Sequence, residues 1–115
     1  MATENEKKWT AKHRFARITP RKARLLVDLI RGRRCNEAVE ELRFNSRRSA
    51  RFVERVLRSA MVNADEAEAQ MHRLFVVDAR VDGGPFYNRW HPKDRGRAHP
   101  IQKYTSHISV TVAEK

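Results

Sequence analysis

Residues 88 to 104 read Asn88-Arg-Trp-His-Pro-Lys-Asp-Arg-Gly-Arg-Ala-His-Pro-Ile-Gln-Lys-Tyr104, and the architecture depends on how this stretch is understood. It holds five cations (Arg89, Lys93, Arg95, Arg97 and Lys103), two histidines, two prolines and a glycine, with almost nothing that could enter a core. Long connections inside compact domains are either functional or disordered. Composition alone favours a disordered insertion. The charge, however, has one sign apart from Asp94, and Trp90 and Tyr104 are interleaved with arginines. Cations that reach phosphates and aromatics that stack on unpaired bases recur together where proteins hold RNA loops and single strands. Such a segment can become ordered when RNA surrounds it.

The flanking runs read as strands. Leu74 to Asp82 alternates, which predicts Phe75, Val77, Ala79 and Val81 on one face and Asp78, Arg80 and Asp82 on the other. Ser106 to Val112 places Ile108, Val110 and Val112 opposite His107, Ser109 and Thr111. A third strand spans Trp9 to Ile18, with Trp9, Ala11, His13 and Phe15 on one parity. Between the strands lie three helical patterns. Thr19-Pro20 predicts an N-cap and first turn, Ala23, Leu26, Val27 and Ile30 share a face, and Gly32 ends the run. Asn36 reads as a second N-cap, ahead of Glu37, Glu40 and the apolar Val39 and Leu42. A helix beginning near Ser46 carries Ala50, Val53, Leu57, Ala60, Met61 and Ala64 on one side and extends to Ala67 or beyond. The expected class is α+β, three helices packed on a small antiparallel sheet.

Two further basic constellations accompany the 88–104 stretch. Arg48, Arg51, Arg55 and Arg58 project within an arc of roughly 80° on the third helix, nearly opposite its apolar side. A solvated face is the usual fate of helix charges, but like-charge neighbours repel, and only Glu54 interrupts these four. Phosphate binding accounts for the arrangement better. The start of the first helix is flanked by Arg14, Arg17, Arg21, Lys22 and Arg24 around Thr19. A helix N-terminus attracts anions, and cations there oppose the helix dipole unless an external anion compensates.

Composition agrees. The chain has 115 residues, enough for one domain, with 25 Lys and Arg against 14 Asp and Glu and a net charge of +11. A balance of this kind points to a polyanion. No apolar run reaches membrane-span length, the first residues lack the apolar core of a signal peptide, and one cysteine, Cys35, excludes an internal disulfide. The expectation is an intracellular, polyanion-binding protein without a membrane partner. Five histidines lack metal spacing, and no nucleophile is placed with a base, so neither catalytic nor metal-binding residues nor a cofactor are expected.

Taken in order, Arg17-Ile-Thr-Pro-Arg-Lys-Ala-Arg24 running on to Leu29-Ile-Arg-Gly32, Ser59-Ala60 with Asn63-Ala64, Gly84-Pro85, Arg95-Gly-Arg-Ala98 and Thr105-Ser-His-Ile108 closely resemble the ribosomal protein L-twenty-two family of the large subunit, in its bacterial form. The resemblance covers about residues 14–112. It implies a single domain over 1–115, with a globular part at about 9–84 and 105–113 and a long extended β-hairpin at about 85–104 driven into ribosomal RNA. It further implies a cytoplasmic place in the large subunit, beside neighbouring ribosomal proteins, with no self-oligomer. The hairpin tip (Arg89, Trp90, His91, Pro92, Lys93, Asp94 and Arg95) would line the nascent-peptide exit tunnel, close to where macrolides bind. Gly96 would supply permissive backbone at the turn. Arg89, Lys93, Arg95, Arg97 and Lys103, and by motif Thr105, Ser106 and His107, would meet RNA.

Departures from the family pattern are an acid at Asp94, Asn88 and Tyr104 where many members carry a cation, and Pro100, expected to break ladder bonding on one arm. Ala64 to Arg73 replaces a polar Gly/Asn loop and is expected to lengthen the third helix. The rival reading, a free-standing nucleic-acid regulator, calls for a base-reading helix and dimer symmetry. No recognisable recognition helix is present.

Overall fold

The computed structural model describes residues 7–93 and 97–114, and for residues 87–93 and 97–102 of the hairpin the backbone alone. Strand β1 (Lys8–Ala16) leads into α1 (Pro20–Ile30), α2 (Cys35–Arg43) and α3 (Arg48–Glu66). A 3-10 turn, Met71–Arg73, precedes β2 (Leu74–Gly83); β3 (Tyr87–Lys93), β4 (Arg97–Lys103) and β5 (Ser106–Glu114) follow. The main sheet has the order β1-β5-β2, antiparallel throughout, and β3 and β4 form a separate two-stranded ribbon. The α+β class is as expected.

The helices cover one face of the main sheet. Ala23, Leu26, Val27 and Ile30 of α1, Ala38 and Leu42 of α2, and Ala50, Val53, Val56, Leu57, Ala60 and Ala64 of α3 are buried against Ile108, Val110 and Val112 of β5. Burying each Leu, Ile or Val contributes about 1.5–3 kcal/mol. Met61, expected in the α3 core, is half-buried at its margin.

Two bulges correct the strand faces. In β1 the register slips between His13 and Ala16, where Phe15 has φ +59°. Phe15 is thereby exposed while Ala16 turns inward. The Phe15 N–H is held by Nδ1 of His107 at 3.1 Å, and the two rings meet edge to face. In β2 the slip falls between Val76 and Asp78. The inward set is therefore Leu74, Val76, Ala79 and Val81, not an unbroken alternation from Phe75. An extra residue in one strand reverses the side-chain parity beyond it.

Val76 also explains the start of α2. Gly32 N–H donates to the Val76 carbonyl and Val76 N–H to the Arg33 carbonyl, so the α1–α2 connection pairs with the outer edge of β2. An isolated bridge joins Arg34 to Phe75, and Arg34 rather than Asn36 becomes the N-cap, burying Cys35 in the first turn. Gly32 is the helix stop anticipated for α1, with φ +83°. Arg31 and Arg24 donate to the Ala79 and Val81 carbonyls, at 2.6 and 3.1 Å. Loop and arginines together cover an edge strand that would otherwise present unpaired groups.

Helix α3 starts at Arg48, close to the expected start near Ser46, and does not extend past its C-cap Ala67. Glu68 adopts φ +62°, and Ala67 and Ala69 N–H groups close back on the Ala64 carbonyl. At the other end of β2, Gly84 N–H donates to the Thr105 carbonyl. A Cβ on Gly84 would lie 2.6 Å from Thr105 Oγ1, so glycine is required by close approach. The ribbon grows from this root, where the Phe86 and Tyr104 rings sit 5.9 Å apart.

Pairing runs from Tyr87–Lys103 to Lys93–Arg97, and Pro100 remains paired with Trp90. The expected break does not occur. Pro92 pairs with Ala98, so both prolines fall in the same alternate class of pairs, and the other class can carry every ladder bond. The radius of gyration is 17.2 Å, against about 13 Å for a compact chain of this length.

Candidate nucleic-acid interface

The two basic constellations of the globular part are 24 residues apart between Arg24 and Arg48, yet the fold brings them together. Helix α1 packs beside α3, and a cleft of about 420 Å³ opens between the first turns of the two helices. Lys22 and Leu25 line it from α1, Ile18 from the preceding loop, and Arg47, Arg48 and Ser49 from the start of α3. Among the described residues its lining holds three cations and no carboxylate. Neither helix has an acid in its first turn or a side-chain hydrogen bond at its N-cap. Thr19 occupies the cap position of α1, but its hydroxyl does not bond the first-turn amides.

Arg14, Arg17 and Arg21 are exposed. Arg24, grouped with them by sequence, donates to β2 and straps α1 to the sheet. Along α3 the four arginines share an exposed side but differ in their partners. Arg48 lies over the Phe52 ring at 5.4 Å. Arg51 donates to the Arg43 and Asn45 carbonyls at 3.0 and 2.7 Å, closing the end of α2, and pairs with Glu54 at 2.9 Å. Arg58 shares Glu54 at 3.2 Å. Arg55 takes part in none of these contacts.

Two candidates are turned inward. Thr105 and Ser106 are buried, the Thr105 hydroxyl donating to the Pro85 carbonyl and that of Ser106 to the Ile18 carbonyl at 2.6 Å. Their hydroxyls fasten the hairpin root and the β1–α1 loop. His107 is half-buried and engaged with Phe15. In the ribbon, Arg89, Trp90, His91, Pro92 and Lys93 lie on β3, and Arg97 and Lys103 on β4. Asp94, Arg95 and Gly96 lie outside the described residues. Arg47 and Ser49 are not among the residues that the sequence pattern marks, because a helix start placed near Ser46 gives neither a special position; two adjacent arginines at a helix start are the legible sign.

Not every surface is basic. Helix α2 carries Glu37, Glu40 and Glu41, all exposed, beside Phe44 at 84% exposure. Arg33 pairs with Glu41 at 3.0 Å. Among the described residues no group of side chains could hold a metal ion, and no helix is long and apolar enough to cross a membrane. Cys35 is buried, which pushes its thiol up to about 12 and leaves it protonated and unreactive.

The family described as ribosomal protein L22p/L17e matches residues 11–113. The chain belongs to this family. The large ribosomal subunit protein uL22 of Geobacter sulfurreducens is 47% identical over 107 residues, covering 92% of this chain and 96% of that protein. That of Geobacter metallireducens is 46% identical over 106 residues, covering 91% and 96%. The Caldicellulosiruptor saccharolyticus uL22 is 43% identical over 110 residues, covering 95% and 90%. The L22p/L17e match begins within β1 and ends within β5, so it includes the cleft and the whole hairpin.

Proposed function

We propose that this protein is a structural constituent of the large subunit of the cytoplasmic ribosome, that its basic surface binds large-subunit rRNA, and that its hairpin tip lines the nascent-peptide exit tunnel. It is not an enzyme. Family membership supports the ribosomal place. One observation carries the RNA reading: the fold gathers Lys22, Arg47 and Arg48 around two helix N-termini with no carboxylate among them. Within an isolated protein that gathering is unfavourable. Polyphosphate removes the cost, and released counterions drive association. Phosphate contacts of this kind position a protein without reading sequence, which suits assembly. The exposed acids of α2 repel phosphate and suit contact with neighbouring ribosomal proteins. The tunnel reading rests on the family resemblance and on a ribbon that extends beyond the core. Sucrose-gradient sedimentation tests the whole: the tagged protein should migrate with large subunits, and migration with free RNA or as a monomer alone would refute it.

A further inference from the structure

The start of α3 has donors without acceptors. Arg48 and Ser49 supply the first two N–H groups of a 19-residue helix, and these have no acceptor within the helix. The N-cap is Arg47, whose side chain caps nothing, and no acid stands in the first turn. The second observation is Ser49 itself. Its side chain is a polar group only 3% exposed, it lines the α1–α3 cleft, and no group among the described residues takes its hydroxyl. A buried hydroxyl normally has a partner. No fully buried side-chain oxygen or nitrogen lacks a partner among the described residues, so the Ser49 hydroxyl, which has none there, opens on the cleft.

We infer that the cleft between the first turns of α1 and α3 is a specific seat for one RNA phosphodiester, with the Ser49 hydroxyl and the opening N–H groups of α3 holding a phosphate oxygen. Lys22, Arg47 and Arg48 neutralise the charge from the rim. The remaining wall is apolar, with Ile18 at 5% exposure and Leu25 at 51%. That half suits the ribose or the face of an unpaired base, whereas a free inorganic anion would leave it empty. A volume of about 420 Å³ accommodates a nucleotide unit. The inference rests on the rRNA-binding reading and makes it local. Most basic side chains on this protein would contact phosphate adaptably, while this seat fixes one phosphate by buried donors.

The test measures affinity of the full chain for a large-subunit rRNA transcript over a KCl series, with the Ser49→Asp, Arg47→Gln and Arg33→Gln variants. Ser49→Asp puts a negative charge where the phosphate sits, yet an acid in the first turn favours the helix. Its binding should fall at least tenfold without a lower melting temperature. Arg47→Gln, on the rim, should weaken binding and reduce the slope of log affinity against log salt by about 0.7–0.9, one phosphate contact. It serves if Ser49→Asp fails to fold. Arg33→Gln, paired with Glu41 on the acidic side, should bind normally. Wild-type affinity and slope in both cleft variants would overturn the seat while leaving rRNA binding standing. Equal weakening by Arg33→Gln would also overturn it, as a general charge effect. A wild-type chain that does not bind the transcript would overturn the underlying reading.

Discussion

For Thr19, Cys35 and Gly84 the surroundings decide how much each residue contributes. Thr19→Ala removes no cap hydrogen bond, so it should cost less than about 0.5 kcal/mol in urea denaturation, below the usual range for a bonded cap. Gly84→Ala should cost about 1–3 kcal/mol, because its methyl would meet Thr105 Oγ1 at the root of the hairpin. Cys35 links stability to alkaline pH. Its folded thiol titrates near 12 against an ordinary 9.0, so below pH 9 both states are protonated and its contribution is intact. Above pH 9 the unfolded state loses a proton that the folded state keeps. Stability should then fall toward pH 12, by at most about 1.4 kcal/mol per unit from this group. Cys35→Ala should lack that component; parallel pH curves for the two proteins would exclude it.

At the level of elements, α3 divides its arginines between holding the fold and facing outward. Arg51 completes the C-terminal end of α2 through two backbone carbonyls, whereas Arg55 makes no such contact. Arg51→Ala should therefore destabilise by about 1 kcal/mol. Arg55→Ala should stay within about 0.5 kcal/mol of wild type and lower the salt slope of rRNA binding instead. A variant pair with identical stability and identical slopes would show that the contacts of Arg51 do not form in solution. The edge of β2 shows the same division. Arg24 and Arg31, exposed cations of α1 and its end, also satisfy the Val81 and Ala79 carbonyls.

For the molecule as a whole, the hairpin is an appendage closed at its base. Gly83 already pairs with Ser106, and Gly84 N–H reaches Thr105, before the ribbon begins. Replacing residues 87–103 by a short turn should shift the melting temperature by less than about 4 °C and weaken rRNA binding strongly. Loss of cooperative unfolding would mean the ribbon belongs to the core. Trimming only Trp90 to Asp94 separates assembly from tunnel lining. Particles should form in cells that lack the normal copy, with altered nascent-chain stalling or macrolide response. Particles unchanged in both responses would place the tip elsewhere.

The sequence by itself determined the inward faces of α1 and β5, most of that of α3, the helix stop at Gly32 and the basic character of the surface. These follow from short-range periodicity and local backbone preference, which act between residues one to four positions apart. It also carried the motifs that identify the family. Tertiary structure decided the rest. The β2 face reverses at Val77 in a strand that pairs on both edges, with β5 and with the α1–α2 connection, and this second pairing moves the cap of α2 from Asn36 to Arg34. Thr105 and Ser106 look like exposed polar residues after a basic loop, yet the closure of β5 on β2 and on the Ile18 loop buries them. The α1–α3 cleft was illegible for the same physical reason. Its donors lie on two segments that no local rule relates, and only packing both helices on one sheet sets them side by side.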